Sequence, residues 1–239
     1  MIYEYPFTIY TLLSDRYARL TVPATAQLLQ EVAEIHSTAT GIGYHKMIQD
    51  NKIWVLTRVS YRFLNRYPKL DEQVKLRTWS KGCNGLTATR EFEILSSMNE
   101  VLVAATSQWV IIDLSSRRVE RISGDFLANY EHHNQSALSF ESPRLRLPEG
   151  MQEVKNFPIE FSMVDKAQHV NNAEYIRWFV NCLTPEEQKA GVLELDINYN
   201  METRPQEIAH IWHKKQDNVN WFQVTNDRGP SVIARIVVS

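Results

Sequence analysis

The feature that most constrains this chain is one order of elements that occurs twice along it. In each half, a strand-like segment is followed by a polar loop and an apolar-periodic segment. Four further strand-like segments then follow, with turn residues between them. The first half opens with YEYPFTIYTLL and the second with VKNFPIEFSMV. The repeated order predicts two folding units of one kind in a single chain.

The apolar-periodic segments are the helices around which each unit would fold. In the first segment, Leu28 and Val32 belong to an apolar stripe at helical spacing, Pro23 lies near its start and Gly41 near its end. This predicts a helix over 24–40. A helix with an apolar face needs a cover, and the antiparallel sheet that follows can supply it. We therefore predict an α+β fold of the tandem, or double, hotdog type, in which a curved antiparallel sheet wraps a long helix in each half.

The same reading predicts where the two units begin and end. We expect an N-terminal hotdog over 1–122 and a C-terminal hotdog over 153–239. The segment 123–152 between them is polar, contains two prolines and is poorly periodic, which is typical of a surface linker.

Composition narrows the class of protein. The net charge of −2 gives no basic field that would favour a nucleic acid partner. Cys83 and Cys182 form no disulfide framework and are predicted to be buried thiols in a reducing compartment. The N-terminal residues do not resemble a signal peptide, and no apolar run has membrane-spanning length. We expect a cytoplasmic protein without a membrane span, and no metal or organic cofactor is implied.

The richest chemical signal is the loop VDKAQHVNN, directly before the second helix. It places Asp165 and His169 close to a helix start, where backbone N–H groups have no internal partners and carry partial positive charge. The predicted donors for an oxyanion are the N–H groups near Val170, Asn171 and Asn172. A carboxylate near a histidine can orient the imidazole or activate water.

Structural roles for these side chains are the alternative. A histidine near a helix start is often a cap or a packed core residue, and asparagines often cap helices and form turns. The first-half loop SDRYARLTVP has Asp15 but neither a histidine nor an asparagine pair. Since a structural role would be needed in both halves, this difference favours a chemical role for the second loop. Glu202, at the far end of the next strand, is a candidate second acid or a solvated strand-end charge.

The residues resemble the plant-type acyl-ACP thioesterase family. The resemblance is carried by HVNNAEYIRW in the second half and by TAQLLQEVAEIHSTATGIG, IWVLTRVSYRFLNRYP, VKLRTWSKG and AATSQWVIIDLSSRRVERI in the first. It implies a double hotdog with one active site per chain, at the second helix. Asp165 and His169 fall on the family's catalytic loop pattern, whose middle asparagine is Ala167 here. The family's Tyr-x-x-Glu motif places its acid at Glu202, and the cysteine that often follows in plant enzymes is Thr203 here.

The resemblance implies a hydrolase that releases free fatty acid from acyl carrier protein in fatty acid biosynthesis. Asp165, His169 and Glu202 would position and deprotonate water, with direct attack by Asp165 through an anhydride as the alternative. The first half would hold the acyl chain, and the second half would be catalytic. The predicted acyl-chain residues are Leu28, Leu29, Val32, Trp54, Leu56 and Trp109, for each of which a plain core role is the alternative.

Two other functions fit the same residues. One is an acyl-CoA thioesterase on the same fold, and the other is a non-catalytic hotdog protein that binds acyl groups, which the alanine at position 167 keeps open. The partner implied by the resemblance is acyl carrier protein with a phosphopantetheine-linked acyl chain. Its acidic surface would need a basic patch. Two arginine clusters are candidates, and either could simply aid solubility: Arg58, Arg62 and Arg66, and Arg117, Arg118 and Arg121. Either a monomer or a homodimer is compatible with the repeat.

Overall fold

The computed structural model describes residues 2–123 and 132–239. The chain divides into two compact units. The first contains Met1–Leu20 and Gln27–Ser142, and the second contains Thr21–Ala26 and Pro143–Ser239. The predicted linker 123–152 includes residues 124–131, which lie outside the described residues, and the domain limits stay a prediction.

The first unit is an antiparallel sheet with a long helix. Its elements follow in chain order: β1 (Tyr3–Thr8), a 3₁₀ turn (Thr11–Leu13), α1 (Val22–Ala39, whose residues from Gln27 onward belong to this unit), α2 (Tyr44–Gln49), β2 (Lys52–Phe63), β3 (Gln73–Cys83), β4 (Ala88–Ser96), β5 (Val101–Asp113) and β6 (Val119–Glu120). The strands pair in the order β1–β3–β4–β5–β2, and β6 pairs with β5. Neighbouring strands run antiparallel, and short turns join the sequential pairs β3–β4 and β4–β5.

The second unit repeats this arrangement. Its elements are β7 (Gln152–Pro158), a 3₁₀ turn (Phe161–Met163), α3 (Asn172–Val180), α4 (Pro185–Ala190), β8 (Val192–Tyr199), β9 (Ile208–Gln216), β10 (Val219–Asn226) and β11 (Gly229–Val238). The strands pair in the order β8–β11–β10–β9–β7. Burial alternates strictly along β10, so one face of this sheet points to the interior.

The helices pack on the inner faces of the sheets. In the second unit, the ring of Phe179 on α3 stacks on Phe222 of β10 with centroids 4.9 Å apart. The ring of Trp178 meets that of Phe157 of β7 edge-to-face at 4.9 Å. In the first unit, Val32 of α1 is fully buried. Burial of these large apolar groups is the main stabilising contribution to each unit, about 2 kcal/mol for each such side chain.

These findings confirm the predicted fold class and the predicted order of the strands along the chain. The helix predicted at 24–40 runs instead over Val22–Ala39. The two short helices α2 and α4 were not predicted, because each spans only six residues and gives little periodicity. The prediction that Cys83 is buried is wrong, since it ends β3 beside a turn and is exposed. Among the described helices, none is both long and apolar enough to cross a membrane.

Candidate active site

The loop before α3 is a tight turn held by its own backbone. The N–H of Asp165 donates to the carbonyl of His169 at 2.9 Å, and a β-bridge joins Val164 to Val170. One carboxylate oxygen of Asp165, Oδ1, accepts the N–H of Ala167 at 2.8 Å, which is an Asx turn. Gln168 closes the turn at a φ of 62°, a left-handed conformation that few residues other than glycine adopt. This geometry places the His169 side chain at the start of α3.

His169 and Glu202 form the central pair of the site. The imidazole Nε2 of His169 lies 3.2 Å from Oε2 of Glu202. The two side chains are 27% and 23% exposed, so both are shielded and yet reachable from solvent. A carboxylate at this distance orients the imidazole and stabilises its protonated form. A histidine and an acid in this relation can take a proton from water.

The pair is supported by the buried residue that follows Glu202. Thr203 is fully buried, and its carbonyl accepts the N–H of Val170 at 2.9 Å, which ties the loop after β8 to the loop before α3. The Thr203 hydroxyl accepts a hydrogen bond from Asn226 at 3.3 Å. Burial raises the pKa of Tyr175, which hydrogen-bonds with Thr203, to about 12, so the tyrosine stays neutral. Thr203 therefore connects the loop that carries Glu202 with the loop that carries His169.

The predicted oxyanion donors are corrected in part. The N–H of Val170 donates to Thr203, and the N–H of Asn171 donates to the carbonyl of Met163 at 2.9 Å. Both groups are therefore engaged within the protein, and assigning them as oxyanion donors is wrong for this conformation. Asn171 is the N-cap of α3, because its side-chain oxygen accepts the N–H of Ala173 at 2.9 Å. Asn172 is the first residue of the helix, and its N–H stays a candidate donor.

Other polar groups around the helix start have identifiable roles. The hydroxyl of Tyr199, the tyrosine of the Tyr-x-x-Glu motif, donates to the carbonyl of Asn172 at 3.2 Å. It thereby fixes the end of β8 against the first turn of α3. Cys182 lies beyond the helix, and burial raises the pKa of its thiol, which disfavours the nucleophilic thiolate. Asp165 belongs to the same turn as His169, and its described contact is with the loop backbone.

The first unit contains a separate pocket beside α1. Its cavity volume is about 80 Å³. Two predicted acyl-chain residues, Trp54 and Trp109, line it together with Ala33 of α1 and Ala88 of β4. Its wall also carries polar side chains, including Arg90. This volume is below that of a typical small-molecule site, so the pocket can receive only part of a longer chain.

The other four predicted acyl-chain residues belong to the interior. Leu28, Leu29, Val32 and Leu56 are each less than 9% exposed, and none is among the residues that line the pocket. Their burial matches the alternative core role.

A buried histidine and arginine lie between α1 and β4. The guanidinium of Arg90 lies 3.1 Å from Nδ1 of His36 and donates to Ser37 at 3.0 Å. Since arginine can only donate, His36 accepts and is neutral. Burial, followed by the charge of Arg90, lowers the pKa of His36 to about 4.

Three residues near Glu202 were not predicted from the sequence. The side chain of Arg204 donates through Nε to Oε1 of Glu202 at 3.1 Å. Asn226 donates to the backbone carbonyl of Glu202 at 3.2 Å, and Arg228 donates to the same carbonyl. Arg204 and Arg228 lie in loops after strands, and Asn226 is the last residue of β10. Only Arg204, two positions after a candidate acid, gave a usable signal in the sequence.

Two models of known protein families together match most of the chain. The model for the acyl-ACP thioesterase N-terminal domain matches residues 1–130. The model for the acyl-ACP thioesterase C-terminal domain matches residues 148–235.

Curated relatives are similar over the same region. The chain is 27% identical over 214 residues to oleoyl-acyl carrier protein thioesterase 1, chloroplastic, of Arabidopsis thaliana, covering 79% of this chain and 57% of that protein. It is 28% identical over 221 residues to palmitoyl-acyl carrier protein thioesterase, chloroplastic, of Cuphea hookeriana, covering 84% and 52%. The chain thus spans about half the length of the curated relatives it matches.

Solved structures share the fold. An acyl-ACP thioesterase from Bacteroides thetaiotaomicron superposes with a TM-score of 0.91 at 20% identity, covering 100% of this chain and 98% of that chain. The 12:0-ACP thioesterase from Umbellularia californica gives a TM-score of 0.87 at 16% identity, covering 100% and 97%.

Proposed function

Because this chain belongs to the acyl-ACP thioesterase family, we propose that it hydrolyses a fatty acyl thioester carried by acyl carrier protein and releases the free fatty acid. The observation that carries the proposal is the pairing of His169 Nε2 with Glu202 Oε2 at 3.2 Å, at the start of α3. The family match covers both halves of the chain, and this pair adds a geometry that can activate water.

The proposed reaction uses water as the nucleophile. His169, oriented by Glu202, takes a proton from water as its oxygen attacks the thioester carbonyl carbon. The carbonyl oxygen then carries negative charge, which the N–H of Asn172 and the partial charge of the helix start stabilise. When the tetrahedral intermediate collapses, the C–S bond breaks and the protonated imidazole returns a proton to the departing thiolate.

Asp165 is proposed as the third polar group of the site. Its carboxylate lies in the turn that presents His169, and one oxygen already accepts the N–H of Ala167. Its negative charge would favour the protonated imidazole. Attack by Asp165 itself, through an acyl anhydride, is the alternative route. It would leave the acyl group on the protein until water cleaves the anhydride.

We propose that the pocket of the first unit receives the acyl chain. Trp54 and Trp109 supply large apolar surfaces on its wall, and Ala33 and Ala88 leave room between them. Of the original six candidates, the two tryptophans keep this assignment with the support of a pocket. The length of chain that fits would follow from the depth of the pocket.

The proposed partner, acyl carrier protein, requires an accessible basic surface. In the cluster Arg58, Arg62 and Arg66, the first donates to Ser142, the second lies 4.8 Å from the Phe140 ring and the third is paired with Glu72. Arg117, Arg118 and Arg121 are all exposed, so this second cluster is the better candidate for docking. The cytoplasmic location and the choice between monomer and homodimer stay predictions.

The decisive experiment is thiol release by the purified protein from long-chain acyl-ACP and from the matching acyl-CoA. We expect faster release from acyl-ACP, and loss of release in the His169→Gln variant. Faster release from acyl-CoA would keep the hydrolase and change the partner. Binding of both thioesters without release, across several chain lengths, would contradict the proposal and indicate a non-catalytic acyl-binding protein.

A further inference from the structure

The loop that carries Glu202 is closed by a network of acids and arginines. Oε2 of Glu207 accepts the backbone N–H of Arg204 at 2.8 Å, and Oε1 accepts Nε of Arg228 at 2.6 Å. Arg228 also donates to the carbonyl of Glu202. Burial opposes ionisation of Glu207, but its hydrogen bonds with Arg228 and Arg204 outweigh it and lower the pKa. Glu207 is therefore ionised and fixes the loop backbone. We call this arrangement, in which a glutamate accepts a backbone N–H three residues earlier and an arginine side chain, the clasp.

The first unit has the same clasp without the histidine–acid pair. Oε2 of Glu72 accepts the N–H of Lys69 at 2.9 Å, and its two carboxylate oxygens accept Nη1 and Nη2 of Arg66 at 2.8 and 2.6 Å. Lys69 thus corresponds to Arg204. Two residues earlier, Tyr67 stands where the second unit has Glu202. The clasp is therefore part of the common frame of both units.

The contact between the Arg204 side chain and Glu202 occurs in the second unit. Nε and Nη2 of Arg204 both donate to Oε1 of Glu202, while Oε2 of the same carboxylate faces His169. A carboxylate held through one oxygen has its other oxygen aimed in a defined direction. The clasp already fixes this backbone in both units, so the frame does not require this extra contact.

We propose that Arg204 is a positioning residue, which holds the Glu202 carboxylate in the orientation that pairs with His169; this inference rests on the proposed function. Arg204 acts through Glu202 and need not touch the substrate. Its positive charge also favours the ionised form of the acid that accepts from the imidazole. Misplacement of a catalytic pair by a fraction of an ångström slows the reaction even when substrate binding is unchanged.

A double-mutant cycle tests this assignment. We expect Arg204→Gln to lower kcat for acyl-ACP about tenfold with little change in KM. We also expect the acidic limb of the kcat/KM profile to move to higher pH, and Arg204→Lys to recover part of the rate. In a Glu202→Gln background, Arg204→Gln should have no further effect, because the residue through which it acts is gone.

Arg177→Gln is the matched control. Arg177 is as exposed as Arg204, 49% in each case, and it is also paired with a glutamate, Glu174, on the surface of α3. This variant should keep the wild-type rate. Equal losses from Arg204→Gln in the presence and absence of Glu202 would overturn the inference while leaving the proposed function intact.

A crystal structure of the Arg204→Gln variant provides a test that does not depend on turnover. We expect the Glu202 carboxylate to move out of hydrogen-bond range of His169. Retention of the 3.2 Å contact between His169 and Glu202 in that variant would contradict the inference, even if the wild-type protein hydrolysed no thioester.

Discussion

The two units contain the same turn with different chemistry. In the first turn, residues 14–22, the N–H of Asp15 donates to the carbonyl of Arg19 at 2.8 Å. In the second turn, residues 164–172, the N–H of Asp165 donates to the carbonyl of His169 at 2.9 Å. Each aspartate accepts the N–H two residues on, and each turn closes with a left-handed residue, Ala18 at a φ of 55° and Gln168 at 62°.

The two turns differ in their side chains. We call the first one the closed turn, because an arginine covers its aspartate, and the second one the open turn. The guanidinium of Arg19 binds the Asp15 carboxylate at 2.9 Å and lies over the rings of Tyr17 and Tyr67 at 4.7 and 5.0 Å. His169 takes the place of Arg19, and Glu202 takes that of Tyr67. The backbone supplies a platform in both units, so the proposed chemistry depends on a few side chains. An alanine at position 167, where the first turn has Tyr17, also leaves more space beside the histidine.

The largest expected effect comes from removing the acid of the proposed site. Glu202→Gln should lower kcat/KM for acyl-ACP about 10³-fold, because the imidazole loses the carboxylate that orients it. Tyr67→Phe, the matched change in the first unit, should leave the rate within about twofold. Steady-state kinetics with thermal melting of both variants check this. Comparable losses of kcat/KM in the two variants would show that the two turns do not differ in their contribution to the chemistry.

Asparagine substitutions in the two turns separate charge from structure. Asp165→Asn keeps an oxygen for the N–H of Ala167, so the turn persists while the negative charge in the turn that carries His169 is lost. We expect kcat to fall about a hundredfold. Asp15→Asn should leave kcat unchanged and lower only the melting temperature. If Asp165→Asn retains wild-type turnover and Asp165→Ala is merely less stable, then Asp165 is a turn-former like Asp15.

The buried His36 should make the stability of the protein depend on pH. Because the pKa of His36 is lowered from 6.5 to about 4, the folded state binds fewer protons than the unfolded chain below about pH 6.5. Its contribution to stability is full above that pH and is lost as the pH falls toward 4. Between about pH 7 and pH 5 this removes about 2 kcal/mol.

Urea unfolding of wild type and His36→Phe at several pH values measures this contribution. The phenyl ring can keep the stacking on Tyr3, whose ring centroid lies 5.3 Å from that of His36. The variant should show a shallower loss of unfolding free energy between pH 7 and pH 5. Equal slopes for wild type and His36→Phe would show that His36 titrates normally.

The smallest expected effect belongs to the closed turn. Arg19→Gln removes a partly buried ion pair and two ring contacts, which we expect to cost about 1 kcal/mol of unfolding free energy. Turnover of acyl-ACP should stay at the wild-type value. Chemical denaturation and steady-state kinetics on the same preparation check both. A larger loss of rate than of stability would mean that the first turn contributes to the chemistry.

Much of this architecture could be predicted from local patterns. The order of the strands along the chain followed from alternation and turn residues, and the loop VDKAQHVNN marked the start of α3. The short helices α2 and α4 could not be predicted, because six residues give too few periodic positions. The Tyr-x-x-Glu motif indicated Glu202 as the acid. Local patterns could not give its distance to His169, because that distance depends on how the loop after β8 meets the loop before α3.

The oxyanion donors show why the rest could not be predicted. A helix start offers N–H groups, but their availability depends on residues remote in the chain. The carbonyl of Thr203 takes the N–H of Val170, and the carbonyl of Met163 takes that of Asn171. Arg204 is a similar case, because its contact with Glu202 depends on the clasp at Glu207. Such contacts arise from tertiary packing and leave no periodic signal in the sequence.

The unequal exposure of the two cysteines has a practical consequence for spectroscopy. Cys83 is exposed, whereas Cys182 is only partly accessible and burial raises the pKa of its thiol. A maleimide dye should therefore label position 83 first and give a single reporter at the end of β3. Reagents that detect free thiols will also react with Cys83, so a Cys83→Ser protein gives the cleaner baseline for counting the thiol that each turnover liberates.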